Sequence, residues 1–244
     1  VSERSDSSEA LPLAALRLEN VSFRYSGTRA AVIDLRSASF EPATINYLVG
    51  ENGSGKSTLL KLLSGVLRPD SGRAIMDGGD IFRDRDLMNS RVGYLRQDYV
   101  TKGQTRTQDF LAYGAWMHGV AASETQRRAA ELLAEIGLVD QRDTRVKKLS
   151  GGMQRRLGLS VELTHRPRLV LLDEPTSGLD VSARERFHRV VDTQVKDGAT
   201  MIIASHEFSE MTKSACTIYH LAGGTLKTMA KSPAGASVDP EDFL

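Results

Sequence analysis

With a single cysteine, Cys216, the 244-residue chain cannot form an intrachain disulfide or build a metal site from thiolates. The expected place for that thiol is a small buried position beside a strand. Long apolar runs are also missing. Leu169-Val170-Leu171-Leu172 and Met201-Ile202-Ile203-Ala204 are strand-sized, against the ~18 residues a membrane span requires. Neither charge is in excess: 32 basic residues face 31 acidic ones, for a net charge of +1. Nucleic-acid binders carry a basic surplus or stripe, so this balance gives no support to such a partner. Val1–Ala10 is acidic and serine-rich without an apolar centre, and does not read as a secretory signal. Any work at a membrane is therefore expected to pass through a partner. His118, His165, His188 and His220 show no metal-ligand spacing and read as surface or packing residues.

What remains is ordinary globular material, 40% hydrophobic and 26% charged, long enough for one large α/β domain or two small ones. Residues 1–14 read as a disordered lead. Leu16–Phe23 alternates as a half-buried strand does, and a second β segment covers roughly Ser37–Phe40. Ile45–Val49 is apolar and runs into a glycine-rich loop, with a helix over Lys56–Ser64. Helical periodicity then dominates between Thr107 and His165. Phe110, Leu111, Trp116 and Met117 mark one amphipathic helix; Ala129, Leu132, Leu133 and Ile136 mark another, ended by Gly137. This block, about residues 98–166, interrupts an α/β alternation that resumes at Arg168. A strand runs to Leu172, a helix over Ser182–Lys196, a strand over Thr200–Ala204, and a helix starts at Glu207. Weak strands near Ile218 and Leu226 close the domain at about residue 228, and 229–244 read as a tail. The basic pairs Arg127-Arg128, Lys147-Lys148 and Arg155-Arg156 read as solvated helix faces.

The chemistry concentrates in two places. Gly50-Glu51-Asn52-Gly53-Ser54-Gly55-Lys56-Ser57-Thr58 fits GxxxxGKS/T between a strand and a helix. Glycines there let backbone N–H groups crowd onto phosphates, Lys56 reaches the β and γ oxygens, and Ser57 offers a hydroxyl to Mg2+. A bare glycine-rich turn is the bland reading, which the strand before and helix after disfavour. The second place is Leu169-Val170-Leu171-Leu172-Asp173-Glu174-Pro175, a buried strand delivering acids at its C-terminal edge. Asp173 suits Mg2+ there, and Glu174 suits an attacking water. Together the two mark a nucleoside triphosphatase.

Ser150-Gly151-Gly152-Met153-Gln154 adds a capped helix start with open amides. Placed after a helical insert and before Asp173, it resembles the signature motif of the ABC ATPases. The resemblance covers roughly residues 15–228. It implies a P-loop NTPase core of α/β class with a parallel sheet, an N-terminal antiparallel β subdomain and an inserted α-helical subdomain. It further implies ATP and Mg2+ as ligands. Gln97 matches the family's glutamine-loop residue, at Mg2+ and the attacking water. Ser177-Gly178-Leu179-Asp180 looks like its aspartate loop, His206 like its switch histidine, and Tyr25 like its adenine-stacking aromatic. Glu51 and Ser54 stand where close relatives often have Pro and Ala, at free positions of the pattern.

By the same resemblance, Ser150–Gly152 of one cassette caps ATP held by a second ABC ATPase subunit, in a homodimer or a heterodimer. A separate transmembrane permease would dock near Asp98–Trp116, with Tyr113 and Trp116 as lining or as plain core residues. That arrangement puts the chain at the cytoplasmic face of the cell membrane, peripherally, and the wording around the signature is most similar to bacterial exporters of drugs, antibiotics or lipids. No nucleic acid is expected. The rival reading is a soluble ABC ATPase on ribosomes or nucleic-acid complexes, whose relatives usually carry paired cassettes, coiled coils or zinc modules. A P-loop kinase or GTPase leaves the signature and His206 without a role.

Overall fold

The computed structural model describes residues 15–28, 30–99, 103–206 and 214–233. Two sheets organise them. The first is antiparallel, in the order β2-β1-β4-β5, from β1 (Leu16–Phe23), β2 (Ile33–Phe40), β4 (Ser71–Met76) and β5 (Gly79–Asp80). The second runs β10-β9-β3-β8-β7-β6, from β3 (Ile45–Val49), β6 (Val92–Leu95), β7 (Leu169–Asp173), β8 (Thr200–Ala204), β9 (Cys216–Ala222) and β10 (Thr225–Ser232). Its pairings are parallel except at the β10 edge. The described residues also form helices α1 (Lys56–Leu63), α2 (Arg85–Arg91), α3 (Thr107–Met117), α4 (Thr125–Glu135), α5 (Gly151–Glu162) and α6 (Val181–Lys196). The α/β class, the antiparallel subdomain and the inserted helical block are as expected.

Every residue of β3, β7 and β8 is buried, which explains their unbroken apolar runs. Successive side chains leave a strand on opposite faces. Val170, Leu172, Met201 and Ile203 therefore enter one core with Leu132, Leu133, Leu157, Phe187 and Val190 of the helices. Leu169, Leu171, Ile202 and Ala204 enter the other, against Leu59, Leu60, Leu62 and Leu63 of α1 and the apolar face of the antiparallel sheet. The parallel sheet is thus covered on both sides, and the C-terminal ends of β3 and β7 carry the two motifs.

Several boundaries differ from the sequence reading. β2 starts at Ile33 rather than near Ser37, because Ile33 and Leu35 are buried and pair with Phe23 and Val21. β10 runs to Ser232, past the expected start of the tail, along the β9 edge. In α3 the buried side is Leu111, Ala112 and Ala115, while Trp116 and Met117 are 57% and 64% exposed and do not belong to it. Cys216 is buried at the first position of β9. The expected N-terminal lead, the helix from Glu207 and most of the tail lie outside the described residues.

Candidate nucleotide-binding site

β3 is followed by Gly50, whose φ is +153°, and a Cβ there would stand 2.4 Å from the carbonyl oxygen of Leu221 in β9. Glycine lets the loop turn this close to the neighbouring strand. The loop folds back through Ser54 N–H, which donates to the carbonyl of Glu51, and enters α1 at Gly55. No side chain caps α1 and its first turn carries no acid, so its first amides and the positive end of its dipole face the loop. Open amides at a positive helix end form an anion cradle.

Lys56 is buried, and its ammonium donates to the carbonyls of Gly50 at 2.6 Å and Glu51 at 3.0 Å. Burial lowers its pKa, while the charges of Glu174 and Asp173 oppose the shift. The next residue, Ser57, donates its hydroxyl to Oδ1 of Asp173 at 2.9 Å, joining the loop to the end of β7. Asp173 is 2% exposed, and burial raises its pKa against that hydrogen bond. A hydroxyl and a carboxylate side by side are hard oxygen donors of the kind Mg2+ takes alongside phosphate oxygens, so the pair fits that ion. Tyr25 shares a 3.1 Å hydrogen bond with the Thr58 hydroxyl and sets its ring edge-on against Phe23. Its own surface is 40% exposed at the cavity mouth.

Above the loop, Glu174 has φ of +46°, a left-handed backbone that few non-glycine residues adopt. Its amide is pinned to the carbonyl of Ala204 in β8 at 3.0 Å. Its carboxylate accepts from the Gln97 amide nitrogen at 2.7 Å on one oxygen, and the other lies 3.2 Å from Nδ1 of His206. Three residues far apart in sequence therefore meet at one carboxylate. They share a cavity of about 540 Å³ with Tyr25, Val32, Asn52, Gly53, Gly55, Lys56, Ser57 and Thr58.

The remaining expected residues stand elsewhere. Glu51 is exposed, and Gly50 and Ser54 support the loop from behind without lining the cavity. Ser150 caps α5 by accepting from Met153 N–H, with Gly151 exposed beside it. Asp180 caps α6 by accepting from Ala183 N–H at 2.7 Å. A Cβ on Gly152 would lie 3.3 Å from the Ala183 methyl, so the signature and the aspartate loop adjoin one another. Neither lines the cavity of their own chain.

Three neighbours went unread in the sequence. Val32 lines the cavity from the segment before β2. Tyr94 lies near Asp173, and burial together with that carboxylate pushes its phenol well above the usual range. Arg155 was read as solvated, yet its guanidinium donates to the carbonyls of Arg96, Gln97 and Glu174. The expectation fails likewise for Arg128 and Arg156, at 9% and 4% exposure, because each reaches buried carbonyls of another helix; Arg127, Lys147 and Lys148 are exposed.

Comparison with known proteins bears on the same residues. The family model described as ABC transporter matches residues 34–177, from β2 to the turn after Glu174. The daunorubicin/doxorubicin resistance ATP-binding protein DrrA of Streptomyces peucetius is 33% identical, over 93% of this chain and 70% of that protein. The cell division ATP-binding protein FtsE of Escherichia coli K12 is 30% identical, over 86% of this chain and 96% of its own. The linearmycin resistance ATP-binding protein LnrL of Bacillus subtilis is also 30% identical, over 80% of this chain and 62% of its own. With matches spanning nearly the whole described fold, the chain belongs to the ABC transporter family, as an ATP-binding subunit and an ATPase.

Proposed function

We propose that this subunit powers export of a drug, antibiotic or lipid through a separate permease, by closing on ATP with a second ABC ATPase subunit and reopening after hydrolysis. The observation that carries the reading is the carboxylate of Glu174, held between Gln97 and His206 over the phosphate loop.

In this reading Lys56 and the open amides of α1 bind the β- and γ-phosphates, and Tyr25 stacks on the adenine. Ser57, Asp173 and Gln97 would hold Mg2+, which supplies positive charge against the phosphate oxygens. Glu174 orients and polarises the water that attacks the γ-phosphorus as the bond to the β–γ bridging oxygen breaks. Gln97 and His206 fix that carboxylate from two sides, and His206 also faces the γ-phosphate. Ser150, Gly151, Gly152 and Asp180, remote from their own cavity, serve the ATP of the partner subunit. The exposed Tyr113 and Trp116, whose rings lie tilted together with centroids 5.8 Å apart, belong to the surface proposed for the permease. That partner would hold the chain peripherally at the cytoplasmic face of the membrane. The names of DrrA and LnrL, both resistance proteins, support export of an antibiotic-like cargo. The likeness to FtsE favours a second reading, in which the same ATP cycle serves a cell-division complex.

The test uses Glu174→Gln. It should keep ATP binding and lower turnover on the order of 100-fold or more. Purified with ATP from gently solubilised cells, it should carry a polytopic membrane protein at equal stoichiometry. Unchanged turnover would remove Glu174 from the chemistry, and cell-division proteins alone on the bait would favour the second reading.

A further inference from the structure

Helix α5 carries Arg155, Gly158 and Glu162 on one face, at the i, i+3, i+7 spacing that aligns residues along a helix. All three meet β6 or the segment that follows it. Glu162 accepts from the backbone N–H of Tyr94 at 3.0 Å. Gly158 lies so close that a Cβ would come within 2.6 Å of two ring carbons of Tyr99 and 2.9 Å of Leu95. Arg155 reaches furthest. One guanidinium nitrogen donates to the carbonyls of Arg96 and Gln97, the other to the carbonyl of Glu174 at 3.3 Å.

We infer that Arg155 is a positioning residue for ATP hydrolysis, tying the main chain behind Gln97 to the main chain behind Glu174 so that their side chains meet. The inference rests on the catalytic reading of that pair. Its warrant is the choice of acceptors. A guanidinium that served charge balance would lie on carboxylates; this one is spent on three backbone carbonyls at the ends of two neighbouring strands, β6 and β7. Only a planar fork with donors on separate nitrogens spans both ends at once. The two residues it fixes are the two whose side chains then join, Gln97 amide to Glu174 carboxylate, at 2.7 Å. Glu174 is also the residue with the left-handed backbone, a conformation that persists where surrounding contacts over-determine it. Arg155 supplies one of those contacts and the Ala204 carbonyl another. Burial of the guanidinium lowers its pKa, and the charges of Asp98, Asp173 and Glu174 oppose that shift and keep the cation in place.

The experiment compares steady-state ATPase kinetics of the full chain with Arg155→Gln, Arg155→Lys, Gln97→Ala and the Arg155→Gln/Gln97→Ala double variant, with thermal unfolding run on each. Arg155→Gln should lower kcat on the order of 10- to 100-fold, as misplacement by about an ångström does. KM for ATP should stay within about twofold, because Lys56, Ser57 and Tyr25 are untouched. Arg155→Lys should recover part of the loss, since an ammonium reaches one strand end and not both. In the Gln97→Ala background the loss should shrink at least about threefold, the non-additivity of residues acting as one unit. A kcat near the parent's, a rise in KM alone, or a fully additive loss would each overturn the inference. If Arg155→Gln does not fold, Arg155→Lys decides: folded with full kcat it overturns the inference, folded with reduced kcat at unchanged KM it supports it. Should Gln97→Ala and Glu174→Gln both leave turnover intact, the catalytic reading itself fails and takes the inference with it. Loss there with none at Arg155 refutes the inference alone.

Discussion

Glu162 shows what a single buried carboxyl does to this domain. It accepts one hydrogen bond, from Tyr94 N–H, and burial raises its pKa from 4.5 to about 7 against that bond and the nearby Arg96. Between those pH values the folded chain holds a proton that the unfolded chain has released. Stability therefore falls as pH rises through the window and levels off above it, by an amount of order 3 kcal/mol at most. His165 works the other way. Its imidazole is lowered from 6.5 to about 4 by burial and by His118, so its contribution rises with pH over that range. The two slopes partly cancel in the parent, and the difference from Glu162→Gln isolates the carboxyl. That variant keeps an acceptor for Tyr94 and should match the parent near pH 4, below the carboxyl's ordinary value of 4.5, where both folded and unfolded parent are largely protonated. Near pH 8 it should be more stable by about 1–3 kcal/mol. Urea titrations at both pH values check this, and an equal difference at both would assign the buried charge no cost.

At the level of elements, α4 and α5 close each other's ends. A helix leaves its last carbonyls without intrahelical partners. Arg156 of α5 donates to the carbonyl of Ile136, the cap of α4, at 2.9 Å. Arg128 of α4 donates to the carbonyls of Leu163 and Thr164, at the end of α5, at 3.0 and 3.2 Å. Each arginine lays a positive charge on the negative end of the other helix dipole. Arg156→Met should cost about 1–3 kcal/mol by stranding a buried carbonyl, and Arg128→Met a similar amount. Urea unfolding of each variant checks this, and a loss below about 0.5 kcal/mol would mean the carbonyls find other donors. Much of the fold was legible at this scale, since β3, β7, β8, α4 and α6 carry runs or periods that local physics explains. These arginines were not legible. Periodicity shows which face of a helix is apolar, but not which long side chain meets the end of another helix. Arg127 and Arg128, adjacent in sequence, both pair with Glu131, yet the first lies in solvent and the second is buried against the carbonyls that end α5. Trp116 and Met117 misled in the opposite direction, apolar at helical spacing yet exposed.

Over the whole molecule, legibility follows contiguity. The phosphate loop was readable because nine consecutive residues carry it, whereas the clasp on Glu174 joins Gln97, Arg155 and His206 from separate segments, and only the fold brings them together. The signature and the aspartate loop adjoin where Gly152 faces Leu179 and Ala183, and neither lines the cavity of its own chain. A Cβ on Gly151 would touch nothing within 4 Å, so nothing among the described residues requires glycine there. The proposed head-to-tail pair gives that position a role, and makes a prediction that a self-sufficient subunit does not. Lys56→Ala removes the ammonium proposed for the phosphates but leaves the signature; Gly151→Asp sets an anion where the proposed partner's phosphates would lie but leaves the loop. In a homodimer each should be inactive alone, since every site then contains one damaged half. Co-expressed under separate tags, they form mixed dimers in which one site combines the intact loop of one copy with the intact signature of the other. Random pairing makes half the dimers mixed, each with one good site in two, so turnover should recover to about a quarter of the parent value if the sites act independently. If mixed dimers isolated by both tags show no recovery, independent shared sites are refuted. Full activity of Gly151→Asp by itself would mean that each chain hydrolyses ATP without borrowing from a partner.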